Sequence, residues 1–499
     1  MAEKKSGERP HDPKFPEKFL NFMRTGWGAS ELDVAESAQA AYTARRREAV
    51  SAAFPGETVV VPTGAEKTRS NDTFFRFRAG SDFAWLTGDL DPEGVLVLHP
   101  NGTAGHDAVL YRRPRKGTDS DEFFRSAKYG ELWIGRKRSL QETSIELGVE
   151  VRDVERLESE LQGVERGKAR VLRGFDAGVD ALFAAEEPGR DADGHPQPTR
   201  DGELAAVLSE LRLVKDAWEL EQLQDAIDIT VRGFEDVARI LPSNGSIPER
   251  TLEGVFGLRS RLEGNGLGYD SIVGAGSHAT TLHWITNDGR TTPGELILMD
   301  MGVENNHLYT ADVTRTLPVS GTFTPLQREV YDIVHASQQA GMDVIKPGTE
   351  FQEIHQTCMR VLAEGLKGLG VLPGSVDEAL DKDSLIYRRW TLHGFGHMLG
   401  LDVHDCANSR PEHYYRGAVQ EDYVLTVEPG LYFQANDELV PEELRGVGIR
   451  IEDDVRVTAE GCENLSAGLP RTADDVESWL GEQRQAGPRL ATLASHKFD

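Results

Sequence analysis

Cysteine is scarce in this chain: among 499 residues there are three, Cys358, Cys406 and Cys462. Their spacing contains no CxxC pair and no disulfide framework, so a cross-linked secreted scaffold is excluded and a reducing cytoplasm is the expected setting. Basic charge is short as well. The 55 Lys and Arg are outnumbered by 83 Asp and Glu, for a formal net charge of -28. A nucleic-acid partner is therefore not expected, because phosphate binding needs concentrated Lys and Arg. No run of about eighteen apolar residues exists, so no membrane span is expected. The opening MAEKKSGERPHDPKFPEKF has basic residues but no apolar stretch behind them, unlike a signal peptide. What remains is the composition of an ordinary globular protein, long enough for two or three domains.

Periodicity orders the chain. A helical stretch, AYTARRREAVSAAF, runs into PGETVVVPTG, where Val59, Val60 and Val61 read as a buried strand. EGVLVLHP and GHDAVLYRRP are further strand candidates separated by the turn signal NGTAG. A stretch rich in Pro, Gly and charge, AEEPGRDADGHPQPTRDG, reads as a linker. Beyond it, Asp216 and Glu219 form a capping box for a helix with an apolar stripe through Leu223, Ile227 and Phe234. Further helices are predicted from Pro325 to Val344 and from Phe351 to Leu369, interleaved with the strand-like runs GELILMDMGVE, LYTADVTRTLPV, DYVLTVEPGLYFQ and GVGIRIEDDVRVT. The expected organisation is a flexible segment over 1–40, an α/β N-terminal domain with its linker over 41–202, an α+β domain over 203–475 and a tail over 476–499. A weak echo between the later strand pairs suggests two similar halves converging on one site.

TLHGFGHMLGLDVHD, from Thr391 to Asp405, holds His393, His397 and His404. The glycines within it oppose a long helix, so the His393–His397 spacing does not read as a helical zinc pair. More telling are acids that interrupt apolar runs: Asp300 in ILMDMG, Asp312 in YTADVTRT, Glu428 in LTVEPGLY and Glu452 in IRIEDD. A carboxylate in such a run is costly unless it is paired, hydrogen-bonded or on a metal. Taken singly, each fits a strand edge facing water, and His393 and His404 each fit a satisfied structural histidine. Taken together with His397, the four carboxylates form an oxygen-rich donor set suited to harder ions such as Mn²⁺. Bridging carboxylates can hold two divalent ions about 3.5–4 Å apart with a hydroxide between them, a hydrolytic device.

These motifs resemble the Xaa-Pro aminopeptidases of the pita-bread metallopeptidase family. The matching pieces are TLHWITN, LILMDMG, ADVTRTLPVSGTFTPLQREVYDIV, LHGFGHMLGLDVHD, LTVEPGLY and RGVGIRIEDD. TRSNDTFFRFRAGSDFAWLTGDLDPEGVLVL resembles the family's N-terminal domain. The resemblance implies an α/β N-terminal domain before an α+β pita-bread catalytic domain. It implies two divalent ions, usually Mn²⁺: Asp300 on one, Asp312 and Glu452 bridging, His397 and Glu428 on the other. It also implies that His283 and His404 line the site near the scissile bond and the proline, that His393 lies near the metals and the substrate's amino end, and that Arg450 has a supporting or substrate role; Arg450 and Glu452, two apart, are expected along one strand and so on the same face. Glu428 is expected to double as a proton shuttle. The implied substrate is a peptide with an N-terminal Xaa-Pro, and the implied assembly is a cytoplasmic homo-oligomer, dimer or tetramer. Prolidase, which cleaves Xaa-Pro dipeptides, is the nearest alternative, and a non-catalytic peptide-binding module on the same fold is another. The chain departs from the pattern in the twelve-residue step from Asp300 to Asp312, one more than usual, in Met301 where Ala is common, and in Trp284 where Tyr is usual.

Overall fold

A computed structural model of the chain describes residues 15–28, 30–102, 105–190 and 197–489. The first part of the N-terminal segment, residues 191–196 of the linker and the end of the tail lie outside the described residues. The chain divides into two compact units, one up to Leu208 and one from Ser209 on. Among the described residues no helix is long and apolar enough to cross a membrane.

In the first unit, helix α1 (Glu17–Met23) and helix α2 (Ala40–Ala53) precede a five-stranded mixed sheet. Its strands are β1 (Thr58–Pro62), β2 (Val95–Pro100), β3 (His106–Arg112), β4 (Glu150–Asp153) and β5 (Ala169–Val171), in the order β4-β3-β2-β1-β5. β1 is antiparallel to β2, with Val60 opposite Val97, and parallel to β5, with Val60 opposite Val171. The unbroken valines of β1 suit a strand covered on both faces, and Val59, Val60 and Val61 are all buried. Polar side chains and backbone groups of the described residues before α2 bond to the rest of this unit. Arg24 Nε donates to Asp121 at 2.8 Å, Leu32 N–H to Glu142 at 2.8 Å and Ser37 N–H to the Glu146 carbonyl at 2.9 Å. Polar anchors hold this segment, which is why apolar periodicity did not signal it.

In the second unit two long helices and a three-stranded antiparallel sheet occur twice in succession. The first set is α3 (Ala217–Ile240), α4 (Glu249–Glu263), β6 (Ile272–Ala275), β7 (Leu296–Met301) and β8 (Val313–Pro318). The second is α5 (Pro325–Val344), α6 (Phe351–Gly368), β9 (Val424–Val427), then a hairpin of β10 (Gly430–Tyr432) and β11 (Gly448–Arg450), then β12 (Asp453–Val457) and β13 (Cys462–Asn464). Capping boxes start α3 (Asp216 with Glu219) and α5 (Thr324 with Gln327), with Pro325 at the first helical position of α5. One continuous core joins both sets, including Phe234, Met299, Val334, Leu362 and Val455. Two expectations need correction. Arg450 and Glu452 do not share one strand, because pairing breaks between β11 and β12. The presumed tail carries helix α7 (Ala473–Ala486): Thr472 caps it, and Ala473, Val476 and Leu480 bury a short i, i+3, i+7 stripe. The stripe is too sparse to stand out among the polar residues around it.

Candidate metal centre

Strand pairing brings the acids together. Asp300 in β7 sits opposite Thr314 in β8. Glu452 N–H donates to the Thr314 carbonyl at 3.1 Å, and the Thr316 hydroxyl donates to the Arg450 carbonyl at 3.0 Å, so the β11–β12 break lies against β8. The loop bearing His397 lies along β9: His397 N–H donates to Thr426 Oγ1 at 3.1 Å, and Glu428 N–H to the Phe395 carbonyl at 2.7 Å. Gly396 makes this approach possible, since a Cβ there would run into the Thr426 carbonyl oxygen. Gly394, by contrast, has ordinary room.

A cavity of about 450 Å³ results, and all nine residues singled out from the sequence line it: His283, Asp300, Asp312, His393, His397, His404, Glu428, Arg450 and Glu452. Donor atoms of Asp312, His397 and Glu452 all lie within 4.8 Å of one another. His397 Nε2 is 3.3 Å from Asp312 Oδ2 and 3.6 Å from Glu428 Oε1, while its Nδ1 faces the Met398 carbonyl at 3.1 Å. A proton on Nδ1 satisfies that carbonyl, so when a metal displaces the Nε2 proton the Nε2 lone pair would face the carboxylates, the usual arrangement of a ligating imidazole. Asp300 Oδ2 accepts from Arg450, and its Oδ1 lies 2.6 Å from the Tyr269 hydroxyl. The same hydroxyl lies 2.6 Å from Asp312 Oδ1, so one phenolic proton serves two carboxylates. His404 packs edge-on to His397 with ring centres 4.4 Å apart.

A second chain of bonds holds His393. Arg450 Nη1 donates to the Tyr432 oxygen at 2.9 Å, Tyr432 O–H reaches His393 Nε2 at 2.7 Å, and His393 Nδ1 faces the Gly394 carbonyl at 2.8 Å. Burial, helped by the Arg450 charge, pushes the His393 imidazole down to about 3, so it is neutral at pH 7. His397 goes the other way. Burial opposes its charge, but the Asp312 and Glu428 carboxylates prevail and raise it to about 9.

Sequence reasoning missed Tyr269, Thr314, Tyr432 and Asp454. Thr314 Oγ1 donates to Glu452 at 2.6 Å and accepts from Arg450 Nε at 3.0 Å, linking the two residues that the strand break separates. Asp454 accepts from Asp312 N–H at 3.1 Å. Only Asp454 carried a signal, the three consecutive acids of IRIEDD.

The donor set fits divalent cations. Burial and the Asp312 charge hold the Glu452 carboxyl well above the usual range. Burial likewise raises Asp300 against the pull of Arg450, and raises Glu428 to about 7 against His397 and Arg450. Four buried carboxylates crowded this closely carry more negative charge than Arg450 and His397 offset, and a hard divalent ion would supply the balance.

Comparison with known proteins agrees. Residues 221–459 match the profile of metallopeptidase family M24, and residues 42–172 match that of the aminopeptidase P N-terminal domain. The chain is 50% identical over 469 residues to Xaa-Pro aminopeptidase 2 of Streptomyces coelicolor, covering 94% of this chain and 97% of the relative. It is 33% identical over 460 residues to the Xaa-Pro aminopeptidase of Escherichia coli, covering 91% of this chain and all (100%) of the relative. Among solved structures, E. coli aminopeptidase P with the inhibitor Pro-Leu superposes with a TM-score of 0.76 at 30% identity, covering 90% of this chain and 100% of that one.

Proposed function

From the premise that the chain belongs to metallopeptidase family M24 and carries the aminopeptidase P N-terminal domain, we propose that it releases the first residue from peptides with proline in second position, using two divalent ions, Mn²⁺ in the native enzyme. The observation that carries this reading is the single cavity lined by four carboxylates, His397 and the four flanking residues His283, His393, His404 and Arg450. Asp300 would hold one ion, His397 and Glu428 the other, and Asp312 and Glu452 both. Bound there, divalent ions would lower the pKa of a water and polarise the scissile carbonyl.

The chain's own residues do the rest. Arg450 and Tyr269 orient Asp300, and Thr314 orients Glu452. His393, kept neutral and held through Tyr432, presents a fixed imidazole beside Glu428, whose Oε2 is 3.4 Å from His393 Nδ1. Glu428 takes the proton of the attacking water and passes it to the leaving proline nitrogen. His283 and His404 donate toward the oxyanion and grip the substrate around the proline. An Xaa-Pro amide has no N–H, so a wall that offers no acceptor there loses nothing when it binds proline. Cys406 takes no part as a nucleophile: burial and the Asp405 carboxylate beside it hold its thiol well above the ordinary range.

Cleavage of Xaa-Pro-Yaa-Zaa peptides by the Mn²⁺-loaded protein tests the reading. Cleavage of Xaa-Pro dipeptides with longer peptides left intact would make the protein a prolidase instead. No cleavage of either, with peptide still bound, would make it a binding module. Metal analysis after dialysis should return two ions per chain. Sedimentation should show the cytoplasmic homo-oligomer, dimer or tetramer, that belongs to the same proposal.

A further inference from the structure

His283 reaches the cavity from a loop that has no regular strand to hold it. The loop leaves β6 after Ala275, turns through Gly276–Thr280, passes Leu282, His283 and Ile285, which all line the cavity, and closes at Gly289. What restrains it is a carboxylate outside the cavity. Glu249, the first residue of α4, is fully buried, and both its oxygens face this loop. Oε1 accepts from Ala275 N–H at 2.8 Å and meets His278 Nδ1 at 2.9 Å. Oε2 accepts from Trp284 Nε1–H at 3.0 Å and from Gly289 N–H at 2.7 Å. One carboxylate thus gathers the loop's entry, its exit and two side chains between them. His278 and Trp284 also stack on each other, ring centres 3.9 Å apart.

Glu249, His278 and Asp288 have a spacing that could suit a metal ion. Four N–H donors already fill the two Glu249 oxygens, so the group is a hydrogen-bonding hub and not an ion site. Asn287 adds a second tether to the same strand, accepting from Val273 N–H at 3.0 Å and donating to the Ser271 carbonyl at 2.9 Å. The loop is therefore stitched at both ends; between them Gln434 donates to the Thr280 carbonyl at 2.6 Å and Arg250 to the Thr286 carbonyl, and next to His283 itself Trp284 donates to Glu249.

We propose that Glu249 is a positioning residue for the reaction: its buried carboxylate holds the 276–289 loop and, through Trp284, sets the place of His283 at the cavity wall. The inference rests on the reading above that His283 faces the cleaved bond. Glu249→Gln keeps the shape but turns an N–H₂ toward two donors, so the loop should loosen without loss of the metal-holding strands.

The test uses the full chain and two readouts. In hydrogen exchange, Glu249→Gln should raise exchange roughly tenfold across 275–289 and leave 296–301 and 313–318 at wild-type rates. In kinetics of the Mn²⁺-loaded protein on an Xaa-Pro peptide, it should lower kcat roughly tenfold to a hundredfold, and should lower it no further when added to His283→Ala. Unchanged exchange in the loop, exchange raised equally in the strands, or rate losses that multiply in the double variant would each overturn the inference. Should Glu249→Gln fail to fold, Trp284→Phe removes a single donor and is read by the same cycle. A wild-type chain that leaves Xaa-Pro peptides intact overturns the proposed function instead, and exchange alone then decides whether Glu249 holds the loop.

Discussion

Glu452→Gln should end turnover and, in the metal-free protein, increase stability. Glu452 is 2% exposed and sits beside Asp312, Glu428 and Asp300, with Arg450 Nε 4.0 Å away as the nearest counter-charge. Its ionisation is opposed first by burial and then by Asp312. The magnitude follows in two ways. Two like charges at the 4.8 Å limit that separates the Asp312 and Glu452 donor atoms repel by roughly 3.5 kcal/mol at an effective dielectric of about 20. The group can avoid this by taking up a proton, which at pH 7 costs a carboxyl of ordinary value 4.5 about 3.4 kcal/mol. Gln carries neither cost, and its carbonyl still accepts the 2.6 Å bond from Thr314. Metal-free Glu452→Gln should therefore gain about 3–4 kcal/mol at pH 7.5.

The pH dependence has a definite sign. The folded-state value is raised, so the native wild type keeps a proton that the unfolded chain releases. Its stability is full below 4.5 and declines as pH rises above that. The advantage of the Gln variant should be absent near pH 4 and widen toward pH 7.5. Excess Mn²⁺ should reverse the order, stabilising the wild type by about 4 kcal/mol at a thousand times its Kd and the variant by less. Denaturant unfolding followed by circular dichroism, in chelator and in Mn²⁺, measures all of this. A Glu452→Gln protein no more stable than wild type in chelator at pH 7.5 would refute the claim that crowded carboxylates strain the empty site.

Three further outcomes are expected. Asp312→Asn should lower kcat at least about a thousandfold on an Xaa-Pro peptide, since Asp312 faces both His397 and Tyr269; turnover near wild type would contradict its bridging role. Lys215→Met should cost about 3–5 kcal/mol in denaturant unfolding, because it strips a buried ammonium from Asp405, 3.1 Å away. Burial opposes the Asp405 charge, but Arg212 and Lys215 prevail and hold it at about 2 against an ordinary 3.8. The stability it supplies is present above pH 3.8 and lost as pH falls toward 2, so the gap between wild type and Lys215→Met should narrow over that window. Gly396→Ala should lower the melting temperature and metal affinity sharply while Gly394→Ala leaves both nearly unchanged, because only the first Cβ meets the Thr426 carbonyl; equal effects would contradict the close approach of that loop to β9.

Legibility followed the range of the interactions. Helix α5 was readable from Pro325 to Val344 because its cap, its first proline and its apolar stripe are all local. Strand β1 was readable because three valines in a row suit burial on both faces. Helix α7 and the anchored stretch before α2 were not, since one rests on a sparse stripe and the other on bonds to Asp121, Glu142 and Glu146 far along the chain. Asp300, Asp312, Glu428 and Glu452 stood out because each sets a charge in an apolar run, and such a charge needs an explanation wherever it occurs. Tyr269, Thr314 and Tyr432 gave no such signal. A hydroxyl is at home on any surface, and what distinguishes these three is the pair of partners each one joins across separate strands.

The sequence by itself determined which residue types the centre has to work with, the local elements that carry them, and the glycines that let a loop lie against a strand. These depend on neighbours a few positions apart. Only the tertiary structure decided that Asp300 shares Tyr269 with Asp312, that Thr314 rejoins Arg450 and Glu452 across a strand break, and that Glu249 holds the loop of His283 from outside the cavity. Each is a hydrogen bond between residues 31 to 138 positions apart in chain order. Such bonds exist once the core has fixed the distance between elements, and no local pattern encodes them.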